Sequence, residues 1–176
     1  SLFGVDAVRF IMLHEMPFAQ DGHVTYELMV ERINTDLANN LGNLVNRTLS
    51  MQNKYFAGLV QNPGVNEPVD EDLKSVVMNT VKQIDEKMDE LRVADSLDLI
   101  LDLFKRCNKY VDETMPWALA KDPEKTGRLA TVLYNLLESV RIGGILLRPY
   151  LPETSEKILS ALNTQKTSYD DVHSFG

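Results

Sequence analysis

Apolar side chains recur every three or four residues between Tyr26 and Phe56, which is the spacing of a helix that buries one face. The positions that share this spacing are Ile33, Leu37, Leu41, Leu44, Thr48, Met51 and Tyr55. A second set with the same spacing lies on nearly the opposite side and is polar: Asp36, Asn40, Asn43, Arg47, Ser50 and Lys54. The pattern predicts a long core helix that presents one polar row to solvent or to a ligand.

Similar periodicity elsewhere predicts a bundle around this helix. The further main helices are expected at 70–90, from about 95 to 111, and from about 122 to 148, with short helices at 6–16 and 152–162. A surface loop is predicted at 57–69 and an irregular polar tail at 163–176, whose last residues are expected to lack packing partners. The predicted fold class is therefore all-α: a bundle of four main helices plus short flanking helices.

Proline, glycine and capping residues indicate where these helices begin and end. Pro17 ends the first helix, and Thr25 and Asp122 are candidate N-caps for the opening helix and the last main helix. Pro116 is expected to prevent regular helix just before Trp117. Gly143-Gly144 falls inside an apolar helical pattern and is interpreted as a point of close packing between helices, rather than as a phosphate-binding loop.

Composition excludes several classes of protein. The single Cys107 excludes an internal disulfide, and the three histidines have no metal-ligand spacing. No apolar run approaches a membrane span and the start has no leader pattern, so we expect a cytoplasmic protein with no membrane partner. A net charge of −8 argues against non-specific binding to DNA or RNA, which depends on clustered Lys and Arg.

The distribution of charge is more informative than its sum. No Asp or Glu occurs from Leu37 to Asn66, so the polar row of the opening helix suits a polyanion. The carboxylates of Asp70–Glu90 are interpreted as a solvated face. Three cations near the end of the third main helix either complement the helix dipole or meet RNA phosphates: Lys105, Arg106 and Lys109.

Patterns for a catalytic site are missing from the sequence, but three residues are candidates for recognition. Trp117, which follows a proline, is either a core plug or a stacking platform for an unpaired base. Asn43 and Arg47 are four apart on one helical face and offer donors and acceptors to base edges, although such pairs are often simply solvated.

Three stretches of the sequence resemble the C-terminal part of bacterial methionyl-tRNA synthetases. They are DLANNLGNLVNRTLSMQNKYF, GVDAVRFIML with MPFAQDGHVT, and NKYVDETMPWALAKD. The resemblance implies a class I anticodon-binding helical bundle over 26–162, preceded by a stem-contact segment over 1–25 and followed by a tail over 163–176. Matched to the family's N-x-x-x-R and Pro-Trp motifs, Asn43 and Arg47 would read base edges of the methionine tRNA anticodon loop. Trp117 would stack on the first anticodon base.

The resemblance also implies what lies outside this sequence. The family's HIGH-type and KMSKS motifs, its nucleotide-binding sheet and any zinc knuckle are absent, so this chain alone is not expected to activate methionine. No cofactor is expected in it. ATP and Mg, with Zn as a further candidate, would belong to the catalytic domain of the parent chain, which is the expected intramolecular partner.

Two other interpretations compete with this one. The chain could be a protein-interaction scaffold that docks through Asp70–Glu90, or the equivalent bundle of a leucine, isoleucine or valine synthetase. The carboxylate-free stretch and the solitary Trp117 favour RNA over the scaffold. The N-x-x-x-R and Pro-Trp motifs favour the methionine enzyme over its neighbours.

Overall fold

A computed structural model describes residues 4–14, 31–89 and 93–176 of the chain. Regular structure within these ranges is entirely helical, which confirms the all-α prediction. The predicted helix end at Pro17 and the Thr25 cap lie outside the described residues.

The main helices occur where the hydrophobic periodicity predicts them. In chain order the elements are α1 (Gly4–His14), a π-helix (Ile33–Gly42), α2 (Asn43–Phe56), α3 (Pro68–Asp89), α4 (Val93–Thr114), α5 (Pro116–Leu119), a 3₁₀ turn (Pro123–Lys125), α6 (Thr126–Leu147), α7 (Pro152–Leu162) and a second 3₁₀ turn (Tyr169–Val172). Helix α4 does end before Pro116, at Thr114, but the expectation that Pro116 prevents helix at Trp117 is wrong. Proline is tolerated at a first helical position, where its missing N–H is not needed, and Pro116 begins α5 there.

Helix α6 lies at the centre of the bundle and contacts α2, α3, α4, α5 and α7. Asp122 caps the 3₁₀ turn that leads into α6, where its side chain accepts a hydrogen bond from the Glu124 amide at 3.0 Å; α6 itself begins at Thr126, after Lys125, without a side-chain cap. The span Pro123–Leu147 is long and apolar enough to cross a membrane by composition. Because 94% of the most apolar part of this span is buried inside the bundle, its apolar composition is that of a core helix.

Gly143 and Gly144 are close-packing positions, as predicted. A Cβ at Gly143 would lie 2.8 Å from Cε1 and Cζ of the buried Phe104 on α4. A Cβ at Gly144 would lie 3.0 Å from Ile158 on α7. The two glycines therefore let α4 and α7 each approach α6 closely.

We expect Gly143→Ala to destabilise the chain, because overpacking costs about 1–3 kcal/mol while helix propensity returns only about 1 kcal/mol. Urea denaturation followed by circular dichroism would measure the change. Gly127→Ala, also on α6, is the matched control. Its new Cβ would meet Val65 at 3.3 Å and Pro63 at 4.0 Å, and both of these residues are exposed in a loop. Equal denaturation midpoints for the two variants would contradict the packing argument.

The π-helix corrects the predicted polar row. Asp36 was expected on the exposed side, but it is 3% exposed, 3.6 Å from Arg32 and hydrogen-bonded to Asn40. The physical reason is the i→i+5 hydrogen bonding of a π-helix, which changes the angular register of residues before Gly42 relative to those after it. The Asn43 amide still donates to the Ala38 carbonyl, and the exposed row starts at Asn43.

Asp70 corrects the interpretation of α3 as a uniformly solvated acidic face. Its carboxylate is fully buried and accepts two hydrogen bonds from Arg128, at 2.6 and 3.0 Å, and one from the Tyr110 hydroxyl at 2.6 Å. Burial alone would raise the pKa of Asp70, but the hydrogen bonds from Arg128, Tyr110 and the Glu67 amide lower it below the ordinary value. Asp70 and Arg128 thus form a buried ion pair between α3 and α6.

The tail after α7 packs against α6, so the expectation that its last residues lack packing partners is wrong. Val172 is fully buried, and the Arg141 guanidinium donates to the carbonyls of Lys166 and Asp171 at 3.3 and 3.0 Å. The Gly176 amide donates to Glu138 at 2.9 Å. Buried charges on α6 therefore hold the tail through its backbone.

Candidate nucleic-acid interface

Two residues that are far apart in the sequence meet on one face of the bundle. The Cζ atom of Arg47 on α2 lies 6.0 Å from the ring centroid of Trp117 on α5, over the ring. This is the outer range of a cation–π contact, which at an exposed site contributes about 0.5–1 kcal/mol. The structure thus brings together two of the three residues that the sequence singles out.

Asn43 lies one helical turn before Arg47, at the start of α2, and is exposed. Residues four apart on a helix share a face, so its amide is on the same side as the guanidinium. Neither side chain has a carboxylate or hydrogen-bond partner within the part of the chain that the structure describes. An amide and a guanidinium that are free in this way can bind the donor and acceptor edges of a base.

Trp117 is on the surface, which sets aside the core-plug alternative and leaves base stacking as a prediction. Its side chain is 41% exposed, whereas the adjacent Pro116 is buried. Pro116 therefore anchors the short helix α5, and the indole stands outward from it. An exposed aromatic face is able to stack with an unpaired base.

The other predicted cations are placed differently. Arg106 donates to Asp72 at 2.6 Å and to Glu113 at 3.0 Å, and Lys109 lies 3.7 Å from Glu113. Lys105 lies 3.4 Å from Asp102. Partial burial lowers the pKa of Arg106, but the carboxylates of Asp72 and Glu113 raise it overall. Phosphate contacts by Lys105, Arg106 and Lys109 stay a prediction, and they would require RNA phosphates to compete with these carboxylates.

Two supporting residues of the site have no clear signal in the sequence. The Asn108 amide on α4 donates to the Asn40 carbonyl at 2.9 Å, so it ties α4 to the π-helix immediately before Asn43. Met115 joins α4 to α5 with a left-handed backbone, φ 46° and ψ 65°. A Met-Pro pair at a helix end does indicate a change of direction, but not which direction.

Two family models match the chain. Residues 60–175 match the anticodon-binding domain of methionyl tRNA ligase, and residues 1–49 match the class I tRNA synthetases (M). Asn43 and Arg47 fall in the second match and Trp117 in the first. Fold and matches together define a helical anticodon-binding domain of the class I tRNA synthetase type.

Relatives and solved structures identify the family. The chain is 46% identical over 175 residues to a methionine–tRNA ligase of Clostridium perfringens, covering 99% of this chain and 27% of that protein. It is 44% identical over 178 residues to the Bacillus subtilis enzyme, again covering 99% of this chain and 27% of that protein. Apo Mycobacterium tuberculosis methionyl-tRNA synthetase superposes with a TM-score of 0.90 at 38% identity, covering 97% of this chain and 35% of that one. The chain belongs to the methionyl-tRNA ligase family.

The chain spans about a quarter of the length of the curated relatives it matches. The family assignment also sets aside a leucine, isoleucine or valine synthetase. Among the described residues, no group of three or more His, Cys, Asp or Glu side chains is arranged to hold a metal ion.

Proposed function

We propose that this domain selects methionine tRNA by reading its anticodon loop with Asn43, Arg47 and Trp117. Trp117 stacks on an unpaired anticodon base, and Asn43 and Arg47 form hydrogen bonds with base edges. The observation that carries the proposal is the placement of Arg47 over Trp117. An aromatic face, a planar guanidinium and an amide on one exposed surface are the groups that recognise single-stranded RNA.

The charges around the site support RNA as the ligand. Helix α2 lies inside the stretch from residue 37 to 66 that contains no Asp or Glu, and the segment from Thr114 to Lys121 around Trp117 contains none either. A phosphate backbone would therefore approach this face without meeting carboxylates from either stretch. The rest of the protein is acidic, so we expect tight binding only where the loop engages this face.

In the parent protein this selection serves the ATP-dependent attachment of methionine to its tRNA. We assign ATP and Mg to the catalytic domain, together with Zn as a further candidate there, and place the protein in the cytoplasm. The catalytic domain of the parent chain is the intramolecular partner of this bundle. We propose neither a DNA nor a membrane partner.

Intrinsic fluorescence tests the proposal, because Trp117 is the single tryptophan of the chain. We expect methionine tRNA to change its emission on binding, since a stacked base excludes water and quenches the indole. The control is the same tRNA with a substituted anticodon, compared at two salt concentrations. Equal affinity for both tRNAs would contradict anticodon reading. Unchanged emission at saturation, with binding shown independently, would contradict stacking.

A further inference from the structure

Met115 has an unusual backbone conformation for a residue with a side chain. Among the described residues, three non-glycine positions have positive φ: Ala57, Met115 and Asn163. Ala57 and Asn163 terminate α2 and α7 and lead into irregular segments. Met115 instead leads directly into α5, the four-residue helix that carries Trp117.

The hydrogen bonds of Met115 make it the joint between two helices. Its N–H donates to the Val111 carbonyl at 2.9 Å and closes the last turn of α4. Its carbonyl accepts from the amides of Ala118 at 2.9 Å and Leu119 at 3.2 Å and so opens α5. The direction in which α5 leaves α4 is therefore set by one pair of backbone angles.

The following proline narrows the conformations available to Met115. Proline disfavours the right-handed helical region in the preceding residue, so α4 cannot continue through this position. An extended backbone is the ordinary alternative, but it would send the chain away from α4 in another direction. A left-handed backbone is unfavourable for a residue with a Cβ, and such conformations persist where neighbouring contacts hold them, as the burial of Pro116 does here.

We propose that the left-handed backbone of Met115 is a positioning device that sets the indole of Trp117 beneath the Arg47 guanidinium. Met115 acts through Trp117 and needs no contact of its own with RNA. The consequence for RNA binding rests on the proposed function, whereas the effect on the Arg47–Trp117 contact does not.

Three variants distinguish an effect of the Met115 backbone conformation from an effect of the Met115 side chain. Met115→Val introduces a β-branched residue that disfavours the left-handed region. Met115→Asn removes the methionine side chain but tolerates this region, and Met115→Gly adopts it without a steric penalty. We expect valine to displace Trp117, and asparagine and glycine to leave it in place.

Quenching of Trp117 fluorescence reports the contact without RNA. Iodide is an anion and is attracted by a guanidinium beside the indole, whereas acrylamide is neutral. We therefore expect Arg47→Ala and Met115→Val each to lower the ratio of iodide to acrylamide quenching. The double variant should lower it no further, because both changes remove the same contact.

Binding of methionine tRNA is the second readout. We expect Met115→Val to weaken it several-fold, because a β-branched side chain adds to the steric cost that methionine already has in the left-handed region, and Met115→Asn to bind as the unmodified chain does. Circular dichroism and the urea midpoint would show whether the valine variant folds. If the valine variant does not fold, the asparagine variant still tests the proposal. The proposal requires Met115→Asn to keep the quenching ratio and the affinity of the unmodified chain.

Two results would overturn the proposal: an unchanged quenching ratio in a folded valine variant, or an asparagine variant with a lowered ratio. The second would assign the role to the side chain of Met115. If the unmodified chain fails to distinguish the two tRNAs, the proposed function fails, and the quenching ratio still tests the positioning role on its own.

Discussion

Asp70→Ala is expected to destabilise the bundle by about 3–5 kcal/mol, because the buried Arg128 then keeps only the exposed Glu67 carboxylate, at 3.3 Å, as an ionic partner. Arg128 and Asp70 are both buried and share two hydrogen bonds. Single domains of this size are typically stable by about 5–15 kcal/mol, so the loss is a large fraction of the total. Urea denaturation, with the free energy of unfolding extrapolated to water, measures it.

Asp72→Ala is the matched control, two residues along the same helix. Asp72 makes an ion pair of the same length, 2.6 Å, with Arg106, but its side chain is 63% exposed. Exposed pairs typically contribute about 0–1 kcal/mol, so we expect a small change. The double variant Asp70→Leu/Arg128→Met should recover part of the loss, since no charge is then left buried. Equal costs for Asp70→Ala and Asp72→Ala would contradict burial as the cause.

The Asp70 contribution should also depend on pH. The folded-state pKa of Asp70 lies below its unfolded value of about 3.9, so its stabilisation is fully present above that pH. It is lost as pH falls through the lowered folded-state pKa. The difference in unfolding free energy between the unmodified chain and Asp70→Asn should therefore shrink with acidification in that window. A constant difference down to the acid limit would contradict the lowered pKa.

Asp70 shows why part of the fold was not predictable from the sequence. Periodicity places Asp70 at the start of an acidic helix, and its local sequence does not distinguish it from Asp72. Its burial is decided by Arg128, 58 residues away, which reaches it only in the folded bundle. Apolar periodicity, by contrast, is a local signal, and the main helices were predictable from it.

The candidate site, too, was only partly predictable from the sequence. That Asn43 and Arg47 share a face follows from helical geometry alone. That Trp117 lies beneath Arg47 depends on the packing of α5 against α6 and on the backbone of Met115, which no spacing in the sequence encodes. The π-helix likewise removed Asp36 from the exposed row, because its i→i+5 hydrogen bonding departs from the 3.6-residue period on which the prediction rests.

Trp117→Ala is expected to weaken binding of methionine tRNA by about 5- to 150-fold, since stacking on an aromatic contributes about 1–3 kcal/mol per base. Trp117→Phe is the control, because it keeps a stacking face and should retain most of the affinity.

Arg47→Ala should instead lower the discrimination between methionine and substituted anticodons, without loss of folding. Filter binding with both tRNAs measures affinity and discrimination together.

Arg47→Lys separates charge from geometry at this position. Lysine keeps the positive charge but lacks the planar, bidentate fork of the guanidinium, so it should preserve the salt dependence of binding while losing discrimination. Since Arg47 contacts Trp117, the combined variant Arg47→Ala/Trp117→Ala should cost less than the sum of the single changes. Full additivity would mean that the two side chains act on the RNA independently. Undiminished discrimination by Arg47→Lys would mean that Arg47 contributes charge alone and that base edges are read elsewhere.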